Sequence, residues 1–180
     1  FTLSRKDPQY VGRAKEIQKA EKERTAGGHP CGVIPELKDV MGVIKKTFAD
    51  VSHTNTGFGS TIFAVKPGDG SAREQAASCQ KVLGGWANIA NEYATKRYRS
   101  NLINWGMLPF LIEEGELPFS NLDYLFIPQI KKAVEEKWDE IKAYTVEKEE
   151  LKEFTLRLGE LTKEEREIIL KGCLINYNRV

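Results

Sequence analysis

The stretch GFGSTIFAVKPGDGSAREQAA spans residues 57–77 and predicts a strand, a tight turn and a helix in succession. Residues 60–66 combine β-branched and aromatic side chains between two turn signals, a pattern typical of a β-strand. The Lys-Pro-Gly-Asp-Gly sequence at 66–70 predicts a tight turn. A helix is expected over residues 72–83. The order of these elements places Ser71 at the point where a helix begins directly after a strand.

The same alternation continues downstream of this stretch. Gly84 and Gly85 end the first helix, and residues 86–91 fit a short buried strand. Residues 95–105 are predicted to be helical and residues 108–112 to form a further strand. Strands that alternate with helices are joined by crossovers and therefore lie parallel. The sequence thus predicts an α/β fold with a central, mostly parallel sheet and flanking helices.

The outer parts of the chain are less regular. Residues 1–30 are predicted to be a helical segment with a thin apolar stripe, and the start of the chain at Phe1 suggests that it continues from an upstream part. Pro35 opens a second helix. Beyond residue 115 we expect a strand at 124–127 and a helix from Pro128 that includes Trp138 and Ile141. We then expect a solvated loop or helix end at 147–153, a strand at 154–158, and a last helix capped by Thr162 and Glu165.

Composition excludes several classes of function. The 180 residues carry a formal net charge of +1, which gives no electrostatic reason to expect nucleic acid or an anionic membrane as a partner. No apolar run reaches the length of a membrane-spanning helix. The three cysteines form no C-x-x-C pair, and neither histidine lies at helical spacing from another ligand. We therefore predict no metal site in this chain, and reduced thiols in a cytoplasmic protein.

The turn before the predicted helix at 72–83 has the chemistry of an anion site. Gly68 and Gly70 allow a close backbone approach, with Gly59 upstream, and a helix N-terminus presents unpaired N–H groups. Arg73 adds a planar fork that suits a carboxylate. Ser71 is open to two interpretations, because Ser-x-x-Glu from residue 71 is also a capping box. The two are compatible, and no hydrolase triad or Walker loop is present.

Four ordered segments carry a resemblance to a known family. Residues 68–77, GDGSAREQAA, resemble the Gly-x-Gly-Ser-Ser-Arg-Glu-His-Ala motif of the aconitase superfamily. The segments LGG at 83–85, RSNL at 99–102 with GMLP at 106–109, and KGCLIN at 171–176 resemble further motifs of the same C-terminal swivel domain. Isopropylmalate isomerases carry this domain as a separate small subunit. The resemblance implies that residues 31–180 form such a swivel domain in an aconitase-like hydratase.

In that family the first serine of the motif is the catalytic base and the arginine binds a substrate carboxylate. The resemblance assigns these roles to Ser71 and Arg73, with Gly70 and Ala72 beside the substrate. Ala72 replaces the second serine of the family and Gln75 its histidine, which points away from citrate or isocitrate as the substrate.

The family also binds a [4Fe–4S] cluster through domains that this chain lacks. The resemblance implies that those domains, upstream on the same chain or in a separate subunit, are the partner, and that the cluster polarises the leaving hydroxyl. The expected function is that of the C-terminal domain of an iron–sulfur hydro-lyase acting on a small hydroxy di- or tricarboxylic acid. The isolated chain is predicted to be inactive and to bind no cluster.

Two alternatives stay open at this point. The same fold could serve as a non-catalytic module that binds a carboxylate or another partner, which the departures at Ala72 and Gln75 allow. Some aconitase relatives bind RNA, and residues 96–99 form a basic cluster. With a net charge near zero, a solvated helix face explains that cluster better than a nucleic-acid site.

Overall fold

A computed structural model describes residues 2–179 of the chain. Its first part contains three helices and a 3₁₀ turn before any strand: α1 (Thr2–Lys6), α2 (Tyr10–Thr25), the 3₁₀ turn (Pro30–Gly32) and α3 (Leu37–Thr47). Only Ala14 and Ala20 of α2 are buried, as its thin apolar stripe predicts. By contrast, α3 buries Leu37, Met41 and Ile44 on one face. The helix predicted from Pro35 is therefore confirmed. The proposed division of the chain at residue 30 stays a prediction.

The central part follows the predicted alternation of strands and helices. Its elements are β1 (Ser60–Ala64), α4 (Arg73–Val82), β2 (Gly85–Ala90), α5 (Lys96–Asn104) and β3 (Leu108–Leu111). All five lie within two residues of the predicted bounds. β1 pairs in parallel with β2, and β2 in parallel with β3. The carboxyl ends of the three strands therefore meet at one edge of the sheet, where α/β proteins place their ligands.

The last part differs from the prediction in one helix and two strands, the first of which was not predicted. Its elements are β4 (Tyr124–Phe126), α6 (Ile130–Glu135), β5 (Glu140–Val146), β6 (Leu151–Arg157), α7 (Lys163–Leu170) and α8 (Leu174–Tyr177). The helix expected to include Trp138 and Ile141 ends at Glu135, and Lys137 has a φ of 63° that interrupts it. The loop expected at 147–153 is a turn followed by the start of β6. The capping box of Thr162 and Glu165 is confirmed.

The sheet of residues 2–179 has six strands in the order β1-β2-β3-β6-β5-β4. The α/β class and the flanking helices are confirmed. Parallel pairing is limited to β1, β2 and β3, while β3–β6, β6–β5 and β5–β4 are antiparallel. The sheet is mixed because β5 and β6 are joined by a short turn, which only antiparallel strands allow. A parallel pair would need a crossover there.

Two apolar clusters support the strands and helices around the β1–α4 turn. The largest apolar cluster joins β2, β3, β5 and β6 to α6 and α7, and Phe110 and Leu156 at its centre are fully buried. α4 and α5 form a second cluster through Ala77, Tyr98 and Leu102. No helix within residues 2–179 combines the length and the apolar character that a bilayer crossing would need. β1 is an edge strand, so the turn after it lies at the outside of the sheet.

Candidate active site

The four predicted site residues lie together on the turn that joins β1 to α4. Gly70, Ser71 and Ala72 are exposed, and Arg73, the first residue of α4, is half-buried. The turn follows the carboxyl end of a parallel strand and leads into a helix N-terminus, as the sequence predicted. The N–H groups at the start of α4 that lack an intrahelical partner, together with a partial positive charge, are therefore directed toward this turn.

Ser71 does not cap the helix. The N-cap position of α4 is occupied by Ala72, and the predicted capping box of Ser71 with Glu74 is not formed. That interpretation was wrong because the turn extends one residue further before helical geometry begins. Within the described residues, the Ser71 hydroxyl makes no hydrogen bond. Ser71 thus presents an unbonded oxygen to the surface.

The capping partner of α4 comes from α5. With the Asn101 amide oriented so that its oxygen faces α4, that oxygen accepts a hydrogen bond from the Glu74 backbone N–H at 3.1 Å. The amide nitrogen then donates to the Glu74 carboxylate at 3.2 Å. The Trp105 indole donates to the other oxygen of that carboxylate at 2.6 Å. Asn101 belongs to the RSNL motif, but no local pattern in the sequence connects it with Glu74.

One guanidinium nitrogen of Arg73 makes a hydrogen bond, and the two terminal nitrogens are available to a ligand. Its Nε donates to the Gly68 carbonyl oxygen at 3.0 Å, across the turn. Within residues 2–179 no carboxylate lies within ion-pair distance of its guanidinium. Because the guanidinium is planar, the Nε contact fixes the plane in which the two terminal nitrogens lie. These terminal nitrogens provide the geometry that a carboxylate recognises in a bidentate pair.

Gly68 connects this turn to the segment after β2. Its φ is 100°, and a Cβ at this position would lie 2.5 Å from Cβ of Tyr98. Its carbonyl oxygen accepts a second hydrogen bond, from Thr95 Oγ1 at 3.2 Å. Thr95 and Tyr98 were not among the predicted site residues. An N-cap signal at Thr95 was readable from the sequence, whereas its contact with Gly68 was not.

The other two predicted glycines have different surroundings. Gly70 has open space around its Cα, as a ligand-facing turn requires. Gly59 packs against Trp86, where a Cβ would lie 2.3 Å from the indole ring, so this glycine makes room for Trp86 rather than for a ligand at the turn.

Two cavities lie away from the turn. One of about 750 Å³ is lined by residues near the end of β6 and the start of α7, including Trp138, Arg157 and Arg166. The other, of about 650 Å³, lies between α3 and the strands, and Phe48 and Trp86 contribute to its wall. Residues 70–73 line neither of them. Because Gly70, Ser71 and Ala72 are exposed, the candidate site is an open surface, which a second domain would have to cover to exclude water.

The described part of the chain has no donor set for a metal or an iron–sulfur cluster. Within residues 2–179, no group of three or more histidine, cysteine, aspartate or glutamate side chains could hold a metal ion. The three cysteines, Cys31, Cys79 and Cys173, are free thiols. An iron–sulfur cluster needs several thiolates close together, so these residues do not fit one.

The central part of the chain matches a known protein family. Residues 49–115 match the sequence model of the aconitase C-terminal domain. This range includes β1, the site turn, α4, β2, α5 and β3. The predicted resemblance to the aconitase superfamily is therefore confirmed for residues 49–115, as a match to that domain.

A solved structure is also similar to this chain. It is the crystal structure of a 3-isopropylmalate dehydratase from Methanocaldococcus jannaschii, which is 29% identical to this chain. The similarity covers 79% of this chain and 80% of that one, with a TM-score of 0.46. A TM-score of this size adds nothing to the family match. No curated protein matches the chain.

Proposed function

We propose that this chain is the swivel domain of an iron–sulfur hydro-lyase that acts on a hydroxy di- or tricarboxylic acid. The observation that carries the proposal is the pair of Ser71 and Arg73 within the stretch that matches the aconitase C-terminal domain. The serine hydroxyl is exposed and unbonded, and the arginine, two residues on, has its terminal nitrogens open. An enzyme that removes a proton next to a carboxylate needs both groups side by side.

Ser71 is proposed as the base. It takes the proton from the carbon next to a substrate carboxylate, and the electron pair of that C–H bond forms a double bond to the neighbouring carbon. The hydroxyl on that carbon leaves and, with a proton, forms water. A serine hydroxyl is a weak base in water, so its alkoxide has to be stabilised. We propose that the partial positive charge at the N-terminus of α4 and the charge of Arg73 supply this stabilisation.

Arg73 is proposed to hold the carboxylate next to the reacting carbon. A bidentate pair with its terminal nitrogens would set both the distance and the plane of that carboxylate. Gly70 and Ala72 would contribute backbone contacts, because neither has a side chain long enough to block the approach of a ligand. Ala72 also leaves more room than the serine that the family carries at this position.

The remaining components of the reaction are proposed to come from a partner. The residues that the structure describes do not fit an iron–sulfur cluster, so the cluster of the complete protein would be held by other aconitase-like domains. The open surface around Ser71 is the face that such domains would cover. We also propose a cytoplasmic location, since three free thiols suit a reducing compartment.

The test is an activity assay of the complete protein, reconstituted anaerobically with iron and sulfide. The substrates are malate, citrate and 3-isopropylmalate, which span hydroxy dicarboxylic and tricarboxylic acids. We expect turnover of at least one acid, and we expect Ser71→Ala to lower kcat by about 10²- to 10⁴-fold with KM little changed. The isolated chain, treated in the same way, is the control and should show neither a cluster nor turnover. A Ser71→Ala protein as active as wild type would refute the role of Ser71 as the base.

A non-catalytic carboxylate-binding module is the second candidate. It is favoured by the arrangement of Arg73 and the α4 N-terminus, which can bind an anion without the Ser71 hydroxyl. The two candidates differ in what Ser71→Ala does. If no acid is turned over and Ser71→Ala still binds carboxylates as wild type does, the binding module is the better description.

A further inference from the structure

The Gly68 carbonyl oxygen connects the Arg73 side chain with Thr95 at the start of α5. Its carbonyl oxygen accepts hydrogen bonds from Arg73 Nε at 3.0 Å and from Thr95 Oγ1 at 3.2 Å. A carbonyl oxygen has two lone pairs, so these two donors satisfy it completely. The orientation of Arg73 therefore depends on where the Gly68 carbonyl is held.

The Thr95 hydroxyl has a defined direction. Thr95 is the N-cap of α5, and its Oγ1 accepts a hydrogen bond from the Tyr98 backbone N–H at 3.2 Å. The hydroxyl proton is thus free for one acceptor, which is the Gly68 carbonyl oxygen. Thr95 joins the N-terminus of α5 to the site turn, because its hydroxyl accepts a hydrogen bond from one and donates a hydrogen bond to the other.

The support behind Thr95 is rigid. Tyr98 packs against Gly68 and is only 5% exposed, and its hydroxyl accepts from Asn88 Nδ2 at 2.9 Å. Two backbone hydrogen bonds, from Ala94 to Pro67 and from Glu92 to Val65, fasten the first half of the turn to the segment after β2. Hydrogen bonds hold this half, whereas Ser71 beyond it is exposed and its hydroxyl makes no hydrogen bond within residues 2–179.

We propose that Thr95 is a positioning residue of the candidate active site, acting through the Gly68 carbonyl on the Arg73 guanidinium. The inference rests on the proposed function, because it assumes that Arg73 binds a carboxylate. Thr95 does not touch the substrate. Its hydroxyl fixes the acceptor that sets the plane of the arginine, so its loss weakens carboxylate binding rather than the proton-transfer step.

The first measurement is binding of tricarballylate, a tricarboxylate with no hydroxyl group to lose, to the full chain. The backbone amide shifts of residues 70–73 are followed by NMR in wild type, Thr95→Val and Thr95→Ser. We expect Thr95→Val to raise Kd about tenfold, the equivalent of one hydrogen bond of about 1.4 kcal/mol. Thr95→Ser keeps both the donor and the cap, and should bind within about twofold of wild type.

Loss of the helix cap needs its own control, because Thr95→Val also removes the N-cap of α5 and should destabilise the fold by about 1 kcal/mol. Thr162 is the matched residue, since it is the threonine N-cap of α7 and its side chain bonds to Glu165 of that helix. Thr162→Val should lose similar stability and bind tricarballylate as wild type does. An equal loss of binding in Thr95→Val and Thr162→Val, or none in Thr95→Val, would overturn the inference.

Activity of the complete protein separates this inference from the proposed function. Thr95→Val should raise KM about tenfold and change kcat by less than about twofold, whereas Ser71→Ala should lower kcat. If Ser71→Ala behaves as expected and Thr95→Val matches wild type, the function stands and the role of Thr95 fails. If Arg73→Ala binds tricarballylate as wild type does, or if wild type does not bind it, the assignment of Arg73 fails and the inference about Thr95 fails with it.

Discussion

Gly68 shows how much of the candidate site depends on one backbone conformation. Residues other than glycine rarely adopt a φ of 100°. Tyr98 also occupies the space that a Cβ at this position would need. With this conformation, the carbonyl of Gly68 turns toward both Arg73 and Thr95. A residue with no side chain therefore determines the orientation of the arginine.

Substitution of this glycine should be costly. We expect Gly68→Ala to lower the free energy of unfolding by about 3 kcal/mol, the sum of the unfavourable φ and of overpacking against Tyr98. Urea denaturation measures it. Gly70→Ala is the control, since no heavy atom lies within 4 Å of its added Cβ and its φ is outside the positive region. It should stay within about 0.5 kcal/mol of wild type, and equal effects of the two substitutions would contradict this account of the turn.

At the scale of the element, the start of α4 is stabilised by a residue of another helix. Asn101 satisfies the Glu74 N–H, and Trp105 holds the Glu74 carboxylate, so α5 completes the first turn of α4. This leaves Ser71 without a capping task. A serine released from capping is available for chemistry, which is the arrangement that the proposed function requires.

The two residues should therefore differ in their effect on stability. Asn101→Ala should lower the free energy of unfolding by about 1 kcal/mol, the usual loss for an N-cap. Ser71→Ala should change it by less than about 0.5 kcal/mol, because its hydroxyl has no partner to lose. Equilibrium unfolding in urea checks both variants. If the order is reversed, with Ser71→Ala costing more than Asn101→Ala, Ser71 is a cap after all.

At the scale of the whole molecule, Tyr93 links the segment after β2 to β3. Its hydroxyl donates to the Phe110 carbonyl oxygen at 2.9 Å and lies 3.3 Å from the Asn88 carbonyl oxygen. Burial raises the pKa of Tyr93, and Tyr98 beside it raises that pKa further. Burial also raises the pKa of Tyr98. The folded state thus favours the protonated form of both tyrosines.

The pH dependence of stability follows from the upward direction of these pKa shifts. An unfolded tyrosine titrates near about pH 10, so the contribution of Tyr93 is fully present below that pH and is lost as the pH rises above it. We expect the free energy of unfolding to fall between about pH 9 and about pH 11, and the fall to be shallower in Tyr93→Phe. Urea unfolding across this range measures it. An unchanged slope in Tyr93→Phe would show that Tyr93 does not carry this dependence.

The mixed sheet was the part of the fold that sequence patterns resolved least well. Trp138 and Ile141 fall at helical spacing after Val134, which favoured one long helix. The same residues also allow another pattern, because Ile141, Ala143 and Thr145 alternate with exposed positions along β5. Short apolar runs fit the helical period of about 3.6 residues as well as the strand period of about 2. The positive φ of Lys137 ends the helical geometry, so the residues after it form a strand.

The sequence by itself determined the strand, turn and helix around Ser71, the parallel unit built on them, and the adjacency of Ser71 and Arg73. These features depend on residues a few positions apart, whose propensities and turn chemistry act locally. Only the tertiary structure decided that Asn101 caps α4, that Thr95 and Gly68 hold Arg73, and that β6 pairs antiparallel with both β3 and β5. Thr95 and Gly68 are 27 residues apart in the chain, so their hydrogen bond exists only once α5 has packed beside the turn.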